Sequence, residues 1–447
     1  MIVATPLLVR ASQKTSQVIT CSVTDRFVER FSIPVVFFYR EKLSVRLLIA
    51  ALRKVLIDFP IFSGRLKVVN DDLLIDCNNQ GVEFSLCLEN RLLVQALEEL
   101  SQGNLQKLVT PLIVEDALAG QSPILTIRLT QFDCGGTALG ICWHHSVGDM
   151  HTFMRFMKAW SAAMNGEQYE PPLVIEDRSA YLQERIANNE NVSSNVRYLK
   201  VRELLRLILY IATTARQKTS IKVYFSDREI ENMKQVFSEK TQQTLSTNDV
   251  LCAHVFSLIT DLDNYSKDRK IVIAVNYRNK VGLPQKLLGN WFDTVHVLLP
   301  QSASPFEVAQ TLRAGVDSFK TEHLSVGSTH RYIEDKGGMR KSRRFLSTSM
   351  NPVKRSIAMT NWSNFGVYNI SFLEAQPLYF TSVDDFPIPW ICTIVEGFSN
   401  KGFICSAHLP SRLIRKLKHP NNLKKLHQYR DLDETQPAQI ENLTWLY

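Results

Sequence analysis

Short apolar blocks broken by turn residues fill the first third of the chain, and their period switches between two and about 3.6. Residues 35–39 read as a strand, and apolar positions over 45–55 have helical spacing. Pro60 breaks that helix, and the chain turns into another strand at Arg65 and Leu66. Residues 73–84 read as strand, polar turn and strand; 124–129 and 137–143 flank Cys134-Gly135-Gly136 as a hairpin. The run 137–143 is apolar enough for a buried strand, and the Met- and Phe-rich stretch 150–164 after it reads as a helix.

A polar break at residues 188–195 precedes a basic amphipathic stretch that ends near Lys218. This break divides the chain into a domain over 1–185, a crossover linker over 186–220 and a second domain over 221–447. The amphipathic stretch has the composition of a helix lying on a membrane surface, but a packed connecting helix is the preferred expectation. A strand over 221–225 opens the second half. Asp227 is expected to cap the next helix, and another follows Ser246-Thr247-Asn248-Asp249. Strands are expected over 271–275 and 291–299. Residues 324–355 read as a long irregular stretch rich in Arg and Lys, either a solvated loop or a contact for cofactor phosphates or a partner. Strands near 391–395 and 403–409 lead to a basic C-terminal helix.

With 447 residues the chain suits two ordinary domains. Hydrophobic content of 45% and charged content of 21% belong to a soluble globular protein. The most apolar helical stretch, 204–213, is interrupted by Arg206 and falls short of the ~20 residues that span a bilayer. No start resembling a signal peptide is visible, so a cytoplasmic location is expected. The eight cysteines form no C-x-x-C pair and read as reduced core residues. The net charge of +8 suits an anionic partner without choosing one.

The chemistry concentrates in His144-His145-Ser146-Val147-Gly148-Asp149, at the turn from buried strand to helix. An imidazole fixed there, partly removed from water, can take a proton near neutral pH. Asp149, four residues after His145, can orient the turn or the ring. His427 and Asp431 repeat the spacing in a basic tail with no strand before it, so context rather than spacing separates the two pairs. Cys142 is open as a nucleophile, but strand alternation points it into the core.

In order along nearly the whole chain, further segments resemble the BAHD acyltransferases, which use coenzyme A thioesters. Phe59-Pro60-Ile61-Phe62-Ser63-Gly64-Arg65-Leu66 looks like Y-P-L-A-G-R-L, and residues 75–84 are similar to I-x-C-N-x-x-G-V-x-F. His145 to Asp149 matches H-x-x-x-D, residues 246–254 look like S-S-F-E-A-L-S-A-H, and Asn276-Tyr277-Arg278 resembles D-G-R. Leu288-Gly289-Asn290 resembles Y-F-G-N, and Thr360-Asn361-Trp362 resembles T-S-W. The second family signature, D-F-G-W-G with K-P after it, falls on residues 371–377, where only Phe372 and Pro377 remain and Ser371 replaces the aspartate. Asp385-Phe386-Pro387 is closer in letters but wrongly spaced, and Met150 stands where the family has glycine after H-x-x-x-D.

The resemblance implies an α/β fold of two chloramphenicol-acetyltransferase-like domains, each a mixed sheet flanked by helices, with the active site at their interface. A segment like that around 367–389 crosses onto the first domain in the family. The implied reaction moves an acyl group from acyl-coenzyme A, a co-substrate, to a hydroxyl or amine of a small-molecule acceptor. No metal or bound cofactor is implied, nor a nucleic-acid partner or membrane span, and a monomer is expected. His145 would be the general base, Asp149 a structural support paired with Arg278, and Thr360 an oxyanion donor, with a strand hydroxyl bonded to backbone as the competing reading. Trp362, Ser246, Thr247 and Asn290 would line the substrate and coenzyme A channel, and His144 would be a packed neighbour. Two rivals stand beside this: a condensation-type enzyme taking its acyl group from a carrier protein, and a non-catalytic binding protein on the same scaffold.

Overall fold

Strand Thr137–His144 is buried at every position, as a continuous apolar run requires when both faces of its sheet are covered. It pairs antiparallel with Leu125–Phe132 on one side and Ser32–Tyr39 on the other. The computed structural model describes residues 2–13, 16–98, 104–185, 191–215, 217–319, 323–383 and 388–431. The first sheet runs in the order Ile2–Val3, Val82–Glu89, Leu125–Phe132, Thr137–His144, Ser32–Tyr39 and Pro377–Ser382, and Leu7–Val9 also pairs with Val82–Glu89. Its last strand comes from the far half of the chain: Thr381 lies opposite Val36 and Ser382 opposite Val35. Helices Val45–Asp58 and Met150–Asn165 pack together over this sheet. Ser44 starts the first of them by accepting the Leu47 N–H.

The second sheet has the order Lys218–Phe225, Phe403–Pro410, Ile391–Glu396, Ile357–Asn361, Arg269–Asn276 and Phe292–Leu299. Ile357–Asn361 is central and parallel to both neighbours. Helices Asp227–Thr241, Thr247–Leu262 and Pro305–Ser318 build its core. A third apolar cluster joins Val23, Tyr277, Leu287, Trp291, Leu324 and Ile333, residues distant in sequence.

The structure corrects several expectations. Ser226, not Asp227, caps helix Asp227–Thr241: its backbone is extended and its hydroxyl accepts the Glu229 N–H at 3.0 Å. Residues 324–355 are not irregular throughout, because Val326–Asp335 is a helix and Phe345–Ser347 is a strand paired with Val196–Tyr198. The basic C-terminal helix is two, Ser411–Leu417 and Pro420–Leu426, since Pro420 begins a new helix at its favoured first position. Helix Val201–Ala215 is present in the linker and packs as expected along one face, where Leu204, Leu207, Tyr210 and Ile211 are half-buried, but Val201, Leu205, Ile208 and Leu209 on another face are exposed. Part of the polar break (188–190) and Asp385-Phe386-Pro387 lie outside the described residues.

The divergent stretch at residues 371–377 forms a tight turn docked on the end of helix Met150–Asn165. The Ser371 carbonyl accepts from Ser161 Oγ at 2.5 Å, its hydroxyl from Asn165 Nδ2 at 3.2 Å, and the Leu373 N–H donates to Asn165 Oδ1 at 2.8 Å. Phe372 is buried against Trp160, with ring centroids 5.3 Å apart. Leu373 occupies left-handed backbone (φ 57°), where the family pattern has glycine.

Candidate active site

The buried strand ends at His144, and a 3-10 turn over His145–Val147 leads into helix Met150–Asn165 with Asp149 as its N-cap. Asp149 Oδ1 accepts the Thr152 N–H at 2.9 Å, satisfying an amide that has no partner within the helix. Gly148 is extended (φ 172°), so space rather than conformation demands it: a Cβ there would lie 2.4 Å from Thr152 Cγ2.

Two buried ion pairs hold this turn. Arg278 grips Asp149 with both terminal nitrogens, Nη1 to Oδ2 at 2.8 Å and Nη2 to Oδ1 at 3.2 Å. The Trp291 N–H donates to Asp149 Oδ2 at 3.1 Å, and Arg278 also donates to the Leu287 and Gly289 carbonyls. Burial alone would raise the Asp149 carboxyl, but the Arg278 charge and hydrogen bonds overcome it and hold it at about 2. The second pair, Asp25 with Arg178 at 3.3 Å, was not anticipated from the sequence. Arg178 donates to the Val147 carbonyl, and Ser146 Oγ donates to the Asp25 carbonyl at 2.8 Å. Ser22-x-x-Asp25 is legible as a capping box, but nothing in the sequence announces that its aspartate reaches across to this turn.

Asn290, expected in the channel, is buried behind the turn instead. Its Nδ2 donates both to Asp25 Oδ1 and to the His145 carbonyl, each at 2.8 Å. The His145 N–H donates to the Phe31 carbonyl at 2.9 Å, so the backbone of this residue is pinned from both sides. Burial lowers the His145 pKa from the ordinary histidine value, against the pull of its own carbonyl and the Asp149 charge. His144 is fully buried; its Nδ1 accepts the Ser146 N–H, and burial followed by the neighbouring His145 lowers its pKa to about 3. It is therefore neutral at any physiological pH. The Cys142 thiol is pushed up to about 11 by burial and packs in the strand.

His145 borders a cavity of about 360 Å³ between the two sheets. Met150, Phe292, Thr360 and Trp362 line it with His145, as do Ile33 on strand Ser32–Tyr39 and Val383 just after strand Pro377–Ser382. Met150 thus fills part of the space beside the base that a glycine would leave open. Thr360 sits on central strand Ile357–Asn361, and its hydroxyl has no hydrogen bond to another described residue. The buried carboxylate of Asp293 also reaches the wall; burial raises its pKa, and Asn195, Thr294 and Ser325 donate to it. Among the described residues that line the cavity there is no Lys or Arg.

Ser246 and Thr247 do not border this cavity. Ser246 caps helix Thr247–Leu262 in a reciprocal box with Asp249, whose carboxylate accepts from Arg313 at 3.2 Å. The connection to the site runs through the next residue: Asn248 Oδ1 accepts from Asn361 Nδ2 at 2.9 Å, and Asn361 lines the cavity. The second His/Asp pair does not meet: His427 bonds Glu229 at 3.0 Å, and Asp431 bonds Asn232 at 3.0 Å. Among the described residues no group of three or more His, Cys, Asp or Glu gathers to hold a metal, and no helix is long and apolar enough to cross a membrane.

Anthranilate N-benzoyltransferase protein 1 of Dianthus caryophyllus is 28% identical over 255 residues, which is 55% of this chain and 56% of the relative; the chain spans about half the length of the curated relatives it matches first. Vinorine synthase superposes with a TM-score of 0.69 at 21% identity, covering 93% of this chain and 96% of that one. F. graminearum TRI101, in a complex with coenzyme A and deoxynivalenol, superposes at 0.73 with 14% identity over 91% and 98%. These neighbours share the two-domain α/β acyltransferase fold. The family model described as "Transferase family" matches residues 2–423, and the chain belongs to this family, the BAHD acyltransferases.

Proposed function

We propose that the protein transfers an acyl group from acyl-coenzyme A to a hydroxyl or amine of a small, apolar, uncharged acceptor, with His145 as general base. The observation that carries this reading is a neutral imidazole at the wall of an apolar cavity, on a turn fixed by Asp149–Arg278 and Asn290. The N-benzoyltransferase activity of the Dianthus relative supports acyl transfer, and the coenzyme A complex of TRI101 supports the donor class. The lack of Lys or Arg among the described lining residues supports an uncharged acceptor, because a carboxylate there would lose its hydration without a counter-charge.

His145 takes the proton of the acceptor hydroxyl or amine as that atom attacks the thioester carbonyl. The carbon becomes tetrahedral and its oxygen takes the negative charge. Thr360, with a hydroxyl free of other described partners, donates to this oxyanion, an interaction of roughly 3 kcal/mol where such donors have been removed. The C–S bond then breaks, and His145 returns the proton to the departing coenzyme A sulfur. Asp149 touches no reacting atom; it positions the turn through Arg278.

Incubation with a panel of acyl-coenzyme A donors and neutral alcohols or amines, following free thiol and acylated product together, tests the reading. Acceptor-dependent thiol release with matching product is expected. Product only from carrier-protein-bound acyl groups would replace the donor, and binding without turnover across the panel would replace the enzyme with a binding protein.

A further inference from the structure

We propose that helix Val201–Ala215 docks the protein on an anionic membrane surface. The helix is apolar on two faces, whereas an ordinary surface helix has one apolar stripe and turns it to the core: Leu204, Leu207 and Ile211 are half-buried, and a second stripe is left in water. Val201, Leu205, Ile208 and Leu209, at i, i+4, i+7 and i+8, form one stripe and are between 54% and 65% exposed. The side toward the protein carries the half-buried Leu204, Leu207 and Ile211 and Tyr210, whose hydroxyl accepts from Trp390 Nε1 at 2.9 Å and which lies roughly 180° around the helix from Val201. Four large aliphatic side chains on a held helix, turned to water, form a contiguous patch that calls for a covering surface.

Charge selects that surface. Arg202 and Arg206 run along one edge of the stripe and are exposed. The single acid of the helix, Glu203, is occupied by Arg197. Pairing of Val196–Tyr198 with Phe345–Ser347 brings a second basic segment to the start of the helix: the Leu199 N–H donates to the Arg344 carbonyl at 2.6 Å, and the Arg344 guanidinium lies 4.6 Å from the Tyr198 ring. Lys200, Arg340, Lys341 and Arg343 are exposed around this junction. A second copy related by a two-fold axis would set these cations against themselves, whereas anionic lipid headgroups neutralise them while the stripe enters the acyl boundary. The surface lies close to the site in the chain, since Asn195 and Val196 line the cavity.

Co-sedimentation of the full chain with phosphatidylcholine vesicles, with and without phosphatidylserine, tests the proposal against Leu205→Glu/Leu209→Glu and Arg202→Glu/Arg206→Glu. Both replaced pairs are exposed, and unchanged thermal melting confirms that the variants fold. The wild type is expected to bind the phosphatidylserine vesicles, more weakly as salt rises, and each variant to bind at least ~10-fold more weakly. No binding by the wild type, or equal binding by all three, overturns the proposal. A wild-type dimer dissolved by the leucine substitutions in sedimentation velocity, without vesicle binding, overturns it in favour of a second copy.

Discussion

Replacing Asp149 by Asn removes one charge from the most completely bonded pair in the site while keeping side-chain size. In the wild type the carboxylate accepts four hydrogen bonds, two from Arg278 at 2.8 and 3.2 Å, one from Thr152 at 2.9 Å and one from Trp291 at 3.1 Å. Its pKa of about 2, against an ordinary 3.8, corresponds to about 2 kcal/mol of stability at neutral pH, at 1.36 kcal/mol per unit. The variant also strands the wholly buried Arg278 charge, and breaking such a pair costs roughly 3–5 kcal/mol. Asn retains the oxygen that caps the helix, so we expect a loss of about 3 kcal/mol, at the lower end of that range. Urea denaturation at pH 7 reads it. Because the folded pKa is depressed, the advantage is complete above about pH 4 and disappears as pH falls through about 2, so the gap between wild type and variant must shrink over that window. A double-mutant cycle with Arg278→Met isolates the pair from its other bonds. A loss below about 1 kcal/mol, or a gap that does not change with pH, would refute the assignment of Asp149 and Arg278 as the clamp of this turn.

Three further expectations follow from single residues. The lowered pKa of His145 keeps its ring unprotonated at neutral pH, so kcat/KM holds steady as pH falls from about 8 and declines only below the ordinary histidine value of about 6.5; a decline centred above pH 7 would contradict it. Thr360→Val, which keeps shape and removes the donor, lowers kcat/KM by about 10²-fold with melting unchanged, whereas loss of stability without loss of rate would make the hydroxyl structural. Leu373→Gly relieves a left-handed leucine whose side chain is half exposed, and raises the unfolding free energy by about 0.5–1 kcal/mol; a destabilised variant would show that the leucine earns its place by packing.

The sequence was most informative where local pattern and packing agree. Residues 138–143 are apolar throughout, and the strand they form is buried on both faces. Ser246-Thr247-Asn248-Asp249 carries its own capping chemistry, and the helix begins there. The site was legible only in part: His145, Asp149, Thr360 and Trp362 border one cavity, and Arg278 bonds Asp149 as expected. Asn290 was placed in the channel because a motif position says nothing of which way its amide points, and here it points to Asp25 and the His145 carbonyl. Asp25 and Arg178 escaped notice because their pairing spans 153 residues and leaves no periodic trace. The linker helix was legible on one face only: Leu204, Leu207 and Ile211 pack as a connecting helix should, but sequence does not record that the stripe of Val201, Leu205, Ile208 and Leu209 finds no partner among the described residues.

His145 is proposed as the base that moves the proton, and single-turnover rates of thiol release read that step without product release. With enzyme in excess over acyl-coenzyme A and saturating acceptor, wild type, His145→Ala and His144→Phe are compared after melting curves confirm that all three fold. His145→Ala is expected to lose roughly 10²–10⁴ in the acceptor-dependent rate, the range of general-base catalysis, while His144→Phe, changed at a buried neutral ring, stays within about 10-fold of wild type. Equal rates for wild type and His145→Ala, or the larger loss falling on His144→Phe, would contradict it.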